Sequence, residues 1–442
     1  MKRYLVGAAV LAAAWAAQAQ QRSATGWQGD PPRAQTPHVV APNSVLTETQ
    51  GLFDGYVHSG KMPGIVGAFG AGDAPTRFVS AGRQGLEPGA RAADADTLWR
   101  VYSMTKPITG MAAMMLIEDG KLALDQPIAE ILPAFRAMTV LSAPDTSLAA
   151  RPAARPITVR HLLTHTAGLG YSIITRGPLR KEYERLGILP AAVNAQVEAQ
   201  MRAVRPKSLQ EFASRVATLP LIADPGTKWS YSIALDVMGA VIERASGMTF
   251  ERFVQTRIFT PLGMTRSYWQ VPRERAALLA TNYTFVGDNL VPLDPAATST
   301  YFDPPSFPYG GAGLVMSARD YDRFLHMLQD GGVLDGVRVM KPQTVRLGMS
   351  NLLPAGVAYT NSANATPMGY GAGGWVAIAD EPGGRRSGSY GWGGAAGTLA
   401  WVDPARRMRA TVMVNYFPDN RWPTRTDIPA ALAKDIARLA RP

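Results

Sequence analysis

The chain contains no cysteine among its 442 residues. That excludes disulfides, thiol catalysis and a lipid-modified N-terminal cysteine. Lysine is scarce, supplying nine of the 45 basic residues, so a lysine in a chemically suggestive setting stands out. Histidine occurs five times. His161 and His165 are spaced i, i+4 and could present two ligands on one helix face, but no glutamate follows His161 and no third ligand is evident, so both read as packing residues and no metal is expected. His38, His58 and His326 are isolated. No stretch beyond the N-terminus is long and apolar enough to cross a bilayer.

What is present is an ordinary globular mixture, 46% hydrophobic and 18% charged, long enough for one large two-lobed domain or two domains. The N-terminus reads as an export signal over residues 1–19. Lys2 and Arg3 start it, Tyr4 to Ala17 is apolar, and Ala17-Gln18-Ala19 offers small residues for cleavage before Gln20. The run is short for a membrane anchor and lacks a second basic flank, so a periplasmic or secreted protein is expected. Residues 20–45, rich in Gln, Pro and Ala, read as an extended leader. The formal net charge of +11 would fall to +9 without Lys2 and Arg3. Its arginines are scattered with no aromatic-interleaved basic run, so no nucleic-acid partner is expected.

Residues 64–70 and 77–82 read as strands joined by a Gly/Asp/Pro turn, and 97–102 as a third extended run. A helix is expected from Met104 to Asp119, with Met104, Ile108, Met111 and Met115 on one face. The middle of the chain is mostly helical: 159–165, 209–219 behind Ser208 as N-cap, 233–245 stopped near Gly247, and 250–259. Residues 171–207 form a basic, weakly patterned insert. Residues 318–329 read as another helix, and 374–379, 397–402 and 409–415 as strands, with turns at Pro382-Gly383-Gly384 and Asp403-Pro404. An amphipathic helix closes the chain over 428–439. The expected class is α+β: a mainly antiparallel sheet built from both ends of the chain and flanked by helices, with an inserted all-helical lobe. The domain would occupy 46–442, its sheet lobe about 46–125 and 285–442 and its helical lobe about 126–284.

Three motifs carry chemistry. In Ser103-Met104-Thr105-Lys106, residues three apart share a helix face, so a lysine amine can meet a serine hydroxyl, which is a poor nucleophile without such a base. Lys106 is the only lysine preceded by serine at that spacing. Apolar neighbours favour the uncharged amine that general-base work needs. The N–H of Ser103, at a helix start, is free for an oxyanion. Tyr231-Ser232-Ile233 opens another helix, and a tyrosinate near a lysine can accept or relay a proton. Gly391-Trp392-Gly393-Gly394-Ala395-Ala396-Gly397 leads into a strand, where glycine permits close backbone approach and a second oxyanion N–H. Alone, each has an ordinary alternative: a helix cap beside a solvated lysine, an aromatic cap, a glycine-rich turn. Ser387-Gly388-Ser389-Tyr390-Gly391 only partly matches a nucleophile elbow, and no histidine follows it, so it is set aside.

Their order along the chain resembles the serine β-lactamase and penicillin-binding superfamily, in particular the class C β-lactamases and the family VIII carboxylesterases. Arg160 to Leu169 (RHLLTHTAGL), Gly310 to Leu314 (GGAGL) and Ser317 to Asp320 (SARD) add to the match, which covers roughly residues 50–435. The resemblance implies that Ser103 is acylated, Lys106 is the base and Tyr231 assists proton transfer. It also implies that the backbone N–H groups of Ser103 and Ala395 form the oxyanion hole, with Ile233, Trp392, Gly393 and Gly394 at the substrate and no cofactor. Two departures matter. Ile233 stands where the β-lactamases have an asparagine that holds the substrate amide, and Trp392 stands where they have a lysine that helps bind the β-lactam carboxylate. Both point away from anionic, peptide-like substrates and toward small neutral acyl esters. A carboxylesterase acting through an acyl-enzyme is therefore expected. The alternatives are a class C-like β-lactamase or D-amino-acid peptidase, acyl transfer to an alcohol, and a non-catalytic binding protein of the same fold.

Overall fold

Seven of the eight residues of Gly64–Ala71 (β1) are buried, which demands cover on both faces and a partner on both edges. The computed structural model describes residues 45–360, 367–381 and 384–439. The expected export signal, nearly all of the leader and most of the turn at 382–384 lie outside the described residues.

Helix Thr47–His58 (α1) precedes β1, which hairpins into Arg77–Gly82 (β2), the pair running from Gly64↔Gly82 to Phe69↔Arg77. Strand Leu98–Arg100 (β3) follows, then a 3-10 turn over Tyr102–Met104 and helix Thr105–Glu118 (α2). Next come the helices Val159–Leu163 (α3), Gly177–Arg185 (α4), Ala195–Met201 (α5), Leu209–Val216 (α6), Ala234–Ser246 (α7) and Phe250–Val254 (α8). Strand Val315–Ser317 (β4) pairs with β3, and Ala318–Gln329 forms α9. The remaining strands of the large sheet are Tyr359–Thr360 (β5), Pro367–Tyr370 (β6), Trp375–Val376 (β7), Tyr390–Gly393 (β8), Leu399–Asp403 (β9) and Met408–Met413 (β10). Helix Thr424–Leu439 (α10) ends the chain.

The eight-stranded sheet has the order β5-β6-β7-β8-β9-β10-β1-β2, and every adjacent pair in it is antiparallel. Both ends of the chain thus build one sheet, joined where Val66↔Met413 through Ala71↔Met408 zips β1 to β10. The two-residue period of a strand sends alternate side chains to opposite faces. Val66 and Ala68 join the core that holds α2 and α9, while Ile65 and Phe69 join Phe53 of α1 and Ile428 and Leu432 of α10. The fold is an α+β sandwich.

Thr105 through Leu116 of α2 are all buried, the signature of a helix surrounded by protein. It packs on the sheet side against β8 and on the helical side against α7. The helices of the middle region close in the expected ways. Ser208 Oγ accepts the Glu211 N–H at 3.1 Å to cap α6, and Gly247 ends α7 with φ 73°.

The middle region expected to be all-helical also carries short strands, Thr139–Leu141 pairing with Ala150–Pro152, and three single elements differ. The extended run at 97–102 stops at Arg100, because Tyr102 takes φ 43°, a left-handed conformation incompatible with a strand. The run at 374–379 forms strand at Trp375 and Val376, and its backbone pairing ends at Ala377, which bonds to Ser389 and Gly388. The helix expected over 250–259 is α-helical to Val254 and continues as a π-helical turn over Gln255–Phe259.

Candidate active site

The left-handed Tyr102 makes a sharp corner between β3 and α2. Such a conformation costs a non-glycine residue about 1–3 kcal/mol and persists only when its surroundings impose it. Here the Tyr102 ring meets Phe417 edge-on at 5.4 Å, and its hydroxyl accepts from Asn282 Nδ2 at 2.9 Å. The corner presents the next residue, Ser103, at the floor of a cleft.

One helical turn on, Lys106 is fully buried. Its Nζ donates to Ser103 Oγ at 3.2 Å and to the Gly311 carbonyl at 2.7 Å. The Tyr231 hydroxyl donates to the same Ser103 Oγ at 2.6 Å. Lys106 Nζ also lies 4.6 Å from the Tyr231 ring centroid and 5.6 Å from that of Tyr171. The structure therefore brings Ser103, Lys106 and Tyr231 together on one oxygen. Deprotonation of either partner would turn its contact around, so that Ser103 donates its proton to that group.

Tyr231 is placed by the segment 165–170. The Thr166 carbonyl accepts the Gly226 N–H at 2.7 Å, the His165 carbonyl accepts the Ser230 N–H at 2.9 Å, and the Gly170 carbonyl accepts the Ile233 N–H at 3.2 Å. His165 lies behind Tyr231, with ring centroids 4.9 Å apart and Nδ1 2.9 Å from Ser232 Oγ. Burial, reinforced by the charge of Lys106, holds its imidazole well below its ordinary pKa, so the ring is neutral. His161 instead closes a capping box with Thr158 at the start of α3. The two histidines thus serve the local scaffold, and among the described residues no group of three His, Cys, Asp or Glu side chains could hold a metal ion.

The glycine-rich motif forms the end of β8. A Cβ on Gly394 would fall 2.4 Å from the Val101 carbonyl oxygen, so only glycine lets this strand end approach the Tyr102–Ser103 corner so closely. Ala395 and Ser103 line one pocket. Trp392 is half-buried against Tyr231, Tyr359 and Tyr370, at centroid distances of 5.7, 6.5 and 5.2 Å. Trp229 extends this wall, 4.4 Å from Tyr359. Gly393 lies under the Arg425 guanidinium of α10, which donates to the Gly394 carbonyl at 3.2 Å and to Asp419 at 2.6 Å. Ile233 is the exception among the expected substrate residues. It is 1% exposed, caps the start of α7 and points into the apolar core, because the helix turns inward directly after Tyr231. Ser389 is also fully buried and leads into a strand, so it cannot act as an elbow nucleophile.

Sequence reasoning missed several site residues. Asp236 on α7 is buried, and its Oδ1 accepts the Gly311 N–H at 2.8 Å while Oδ2 has no partner. Burial pushes its pKa up to about 6, opposed by the charge of Lys106. The available signal was an acid inside the apolar run Ala234-Leu235-Asp236-Val237-Met238. Tyr171 packs edge-on to Tyr231 at 5.4 Å, and burial, then Tyr231 and Asp236, keep its phenol protonated. The pocket beside Ser103 takes six of its twelve lining residues from the insert, namely Tyr171, Ile173 and 190–193, and none of the twelve carries a formal charge.

A family model described as Beta-lactamase matches residues 49–433. The chain is similar to Esterase EstB of Burkholderia gladioli, 33% identical over 338 residues that cover 72% of this chain and 78% of that protein. It is also similar to lovastatin esterase of Penicillium rubens, 31% identical over 384 residues that cover 79% and 87%. The solved structure of EstCE1, a hydrolase with promiscuous acyltransferase activity, superposes with a TM-score of 0.71 at 24% identity, over 89% of this chain and 98% of that one, and so shows the same fold.

Proposed function

The chain belongs to the Beta-lactamase family, and from that footing we propose that it is an exported serine carboxylesterase that hydrolyses small neutral esters through an acyl-enzyme. The observation that carries this reading is the convergence of Tyr231 Oη and Lys106 Nζ on Ser103 Oγ, at 2.6 and 3.2 Å.

In the reaction, the Ser103 hydroxyl gives its proton to the Lys106–Tyr231 pair as Oγ bonds to the ester carbonyl carbon. The resulting oxyanion takes hydrogen bonds from the N–H groups of Ser103 and Ala395. The tetrahedral adduct collapses by breaking the bond to the alcohol oxygen, which receives the proton from the same pair. Water then repeats the sequence on the acyl-enzyme: it loses a proton to the pair, attacks the carbonyl, and releases the acid as Ser103 regains its hydrogen. The burial of Lys106 keeps its amine away from bulk water and directed at Ser103 Oγ and the Gly311 carbonyl.

Two features support an ester over a β-lactam. The pocket beside Ser103 offers no charged side chain, and Trp392 puts an indole where an ammonium would meet a carboxylate. The esterase relatives agree with this choice. Export rests on Lys2, Arg3 and the apolar run to Ala17.

The test compares kcat/KM for p-nitrophenyl butyrate with that for nitrocefin and benzylpenicillin, alongside release of D-alanine from a D-Ala-D-Ala peptide. The ester should be turned over fastest. Faster β-lactam hydrolysis or D-alanine release would reverse the assignment, and a wild-type protein that a fluorophosphonate probe fails to label would remove it.

A further inference from the structure

The geometry points to the insert as the wall that selects the acyl group: we propose that the segment 186–194 bounds a slot for a short, uncharged aliphatic acyl chain, that Ala191 limits its length, and that Arg205 is the positioning residue that holds Ala191 there. This rests on the reading of Ser103 as the acylated nucleophile.

The return of the proton fixes which half of an ester lies where. The alcohol oxygen must receive its proton from the group that took it from Ser103, so the alcohol leaves on the side of Tyr231. That side carries the aromatic wall of Trp229, Tyr359 and Trp392. The acyl group then points the other way, past Tyr102, into the pocket that also holds Ala312 and Phe417. The cavity itself holds only about 30 Å³, room for about two waters, which suits an acyl group of about two or three carbons. Its uncharged lining would leave a carboxylate or ammonium unpaired, and burying such a group without a partner is costly.

The far wall is built from residues that form neither helix nor strand, yet it is pinned at three points. Arg215 Nη1 donates to the Leu186 carbonyl at 2.7 Å. Arg205 Nη2 donates to the Ala191 carbonyl at 2.8 Å and to Glu198 at 2.6 Å. Asn194 Nδ2 donates to the carbonyl of Leu293, itself a pocket residue, at 3.1 Å. Arg205 is 1% exposed and stacks its guanidinium 5.6 Å from the Tyr309 ring centroid. A buried guanidinium aimed at one carbonyl fixes a loop far more tightly than a surface contact would. The methyl group of Ala191 therefore meets the acyl chain from a preformed wall, and a change there should be read out as chain length.

The experiment uses two ester series on the full chain. One varies the acyl group, from p-nitrophenyl acetate through butyrate and hexanoate to decanoate. The other holds butyrate and varies the alcohol among methyl, phenyl and benzyl. Ala191→Leu should lower the hexanoate-to-acetate ratio of kcat/KM by about tenfold or more, the scale of discrimination set by one or two methylenes in a pocket. Ala191→Gly should raise the same ratio and move the optimum to a longer chain. Arg205→Met should flatten the acyl profile, and Arg205→Lys should restore part of it, whereas loss of fold alone would lower every ester in proportion. The wall is overturned if both Ala191 variants leave the acyl ratio unchanged, or if they move the alcohol series instead. A wild-type protein inert toward every ester and toward a fluorophosphonate would overturn the esterase reading itself, an outcome distinct from an active enzyme with an unmoved profile.

Discussion

Asp236 reaches Lys106 through a single residue: its Oδ1 accepts the Gly311 N–H at 2.8 Å, and the Gly311 carbonyl accepts from Lys106 Nζ at 2.7 Å. The fold has placed a buried acid behind the proposed base, and Oδ2 of that acid has no hydrogen-bond partner. The arrangement gives the molecule a pH signature that can be measured.

Burial raises the Asp236 pKa from 3.8 to about 6, so the folded state holds this proton more tightly than the unfolded chain does. The resulting stabilisation is fully present below about pH 4 and is lost as pH rises through about 6. Asp236→Asn keeps the Oδ1 acceptor and cannot ionise. Relative to wild type, the variant should gain about 3 kcal/mol between pH 4 and 7. Chemical denaturation across that range checks it, and parallel stability curves for the two proteins would refute it.

Tyr231→Phe removes only the hydroxyl that touches Ser103 and keeps the ring against His165 and Tyr171, 4.9 and 5.4 Å away. Ester turnover should fall by about 10²- to 10⁴-fold, the usual loss of a positioned proton-transfer group. The melting temperature should stay within a few degrees of wild type. Ser103→Ala should abolish both turnover and the acyl adduct seen by intact-mass measurement.

Gly110 sits inside α2, where alanine is intrinsically favoured by about 1 kcal/mol. A Cβ there would stand 2.1 Å from the Ala372 carbonyl oxygen. That contact is backbone against backbone and cannot yield without separating α2 from the segment that follows β6. Packing should therefore outweigh propensity, and Gly110→Ala should destabilise the protein by about 1–3 kcal/mol. Thermal melting decides the sign.

Arg100, in the strand that leads to Ser103, is fully buried and paired with the equally buried Asp294 through Nε at 2.8 Å and through Nη2. Asp294→Ala would strand a guanidinium in the core and should cost about 3–5 kcal/mol. Replacing both residues with apolar ones should cost less than the sum of the single changes. A double-mutant cycle in denaturant measures that coupling.

The legible parts of the sequence were those whose cause is local. Residues 77–82 and 318–329 form the expected strand and helix because pattern and caps lie within the segment itself, as with Ser317 Oγ accepting the Asp320 N–H at 3.1 Å. Ser103 and Lys106 were found because helix geometry fixes their spacing. Asp236 was not, because it meets Gly311 across 75 positions of chain. Tyr102 looked like one more extended residue, since nothing in its neighbours announces a φ of 43°. The insert resisted reading because it holds its shape through side chains gripping distant carbonyls, Arg215 on Leu186 and Arg205 on Ala191, and such contacts leave no periodic trace. Ile233 was placed at the substrate by its position in a motif, while its 1% exposure follows from the inward turn of α7.

The seam between β1 and β10 sets an order of events during synthesis. β1 needs Met408 to Met413 as its second partner, and these residues leave the ribosome long after β1 itself. Until then the hairpin of β1 and β2 presents a bare, apolar edge, and the long loop it must close slows its capture. A chain cut short before residue 408 would keep most of the helical region and Ser103 itself, yet it should accumulate as aggregate.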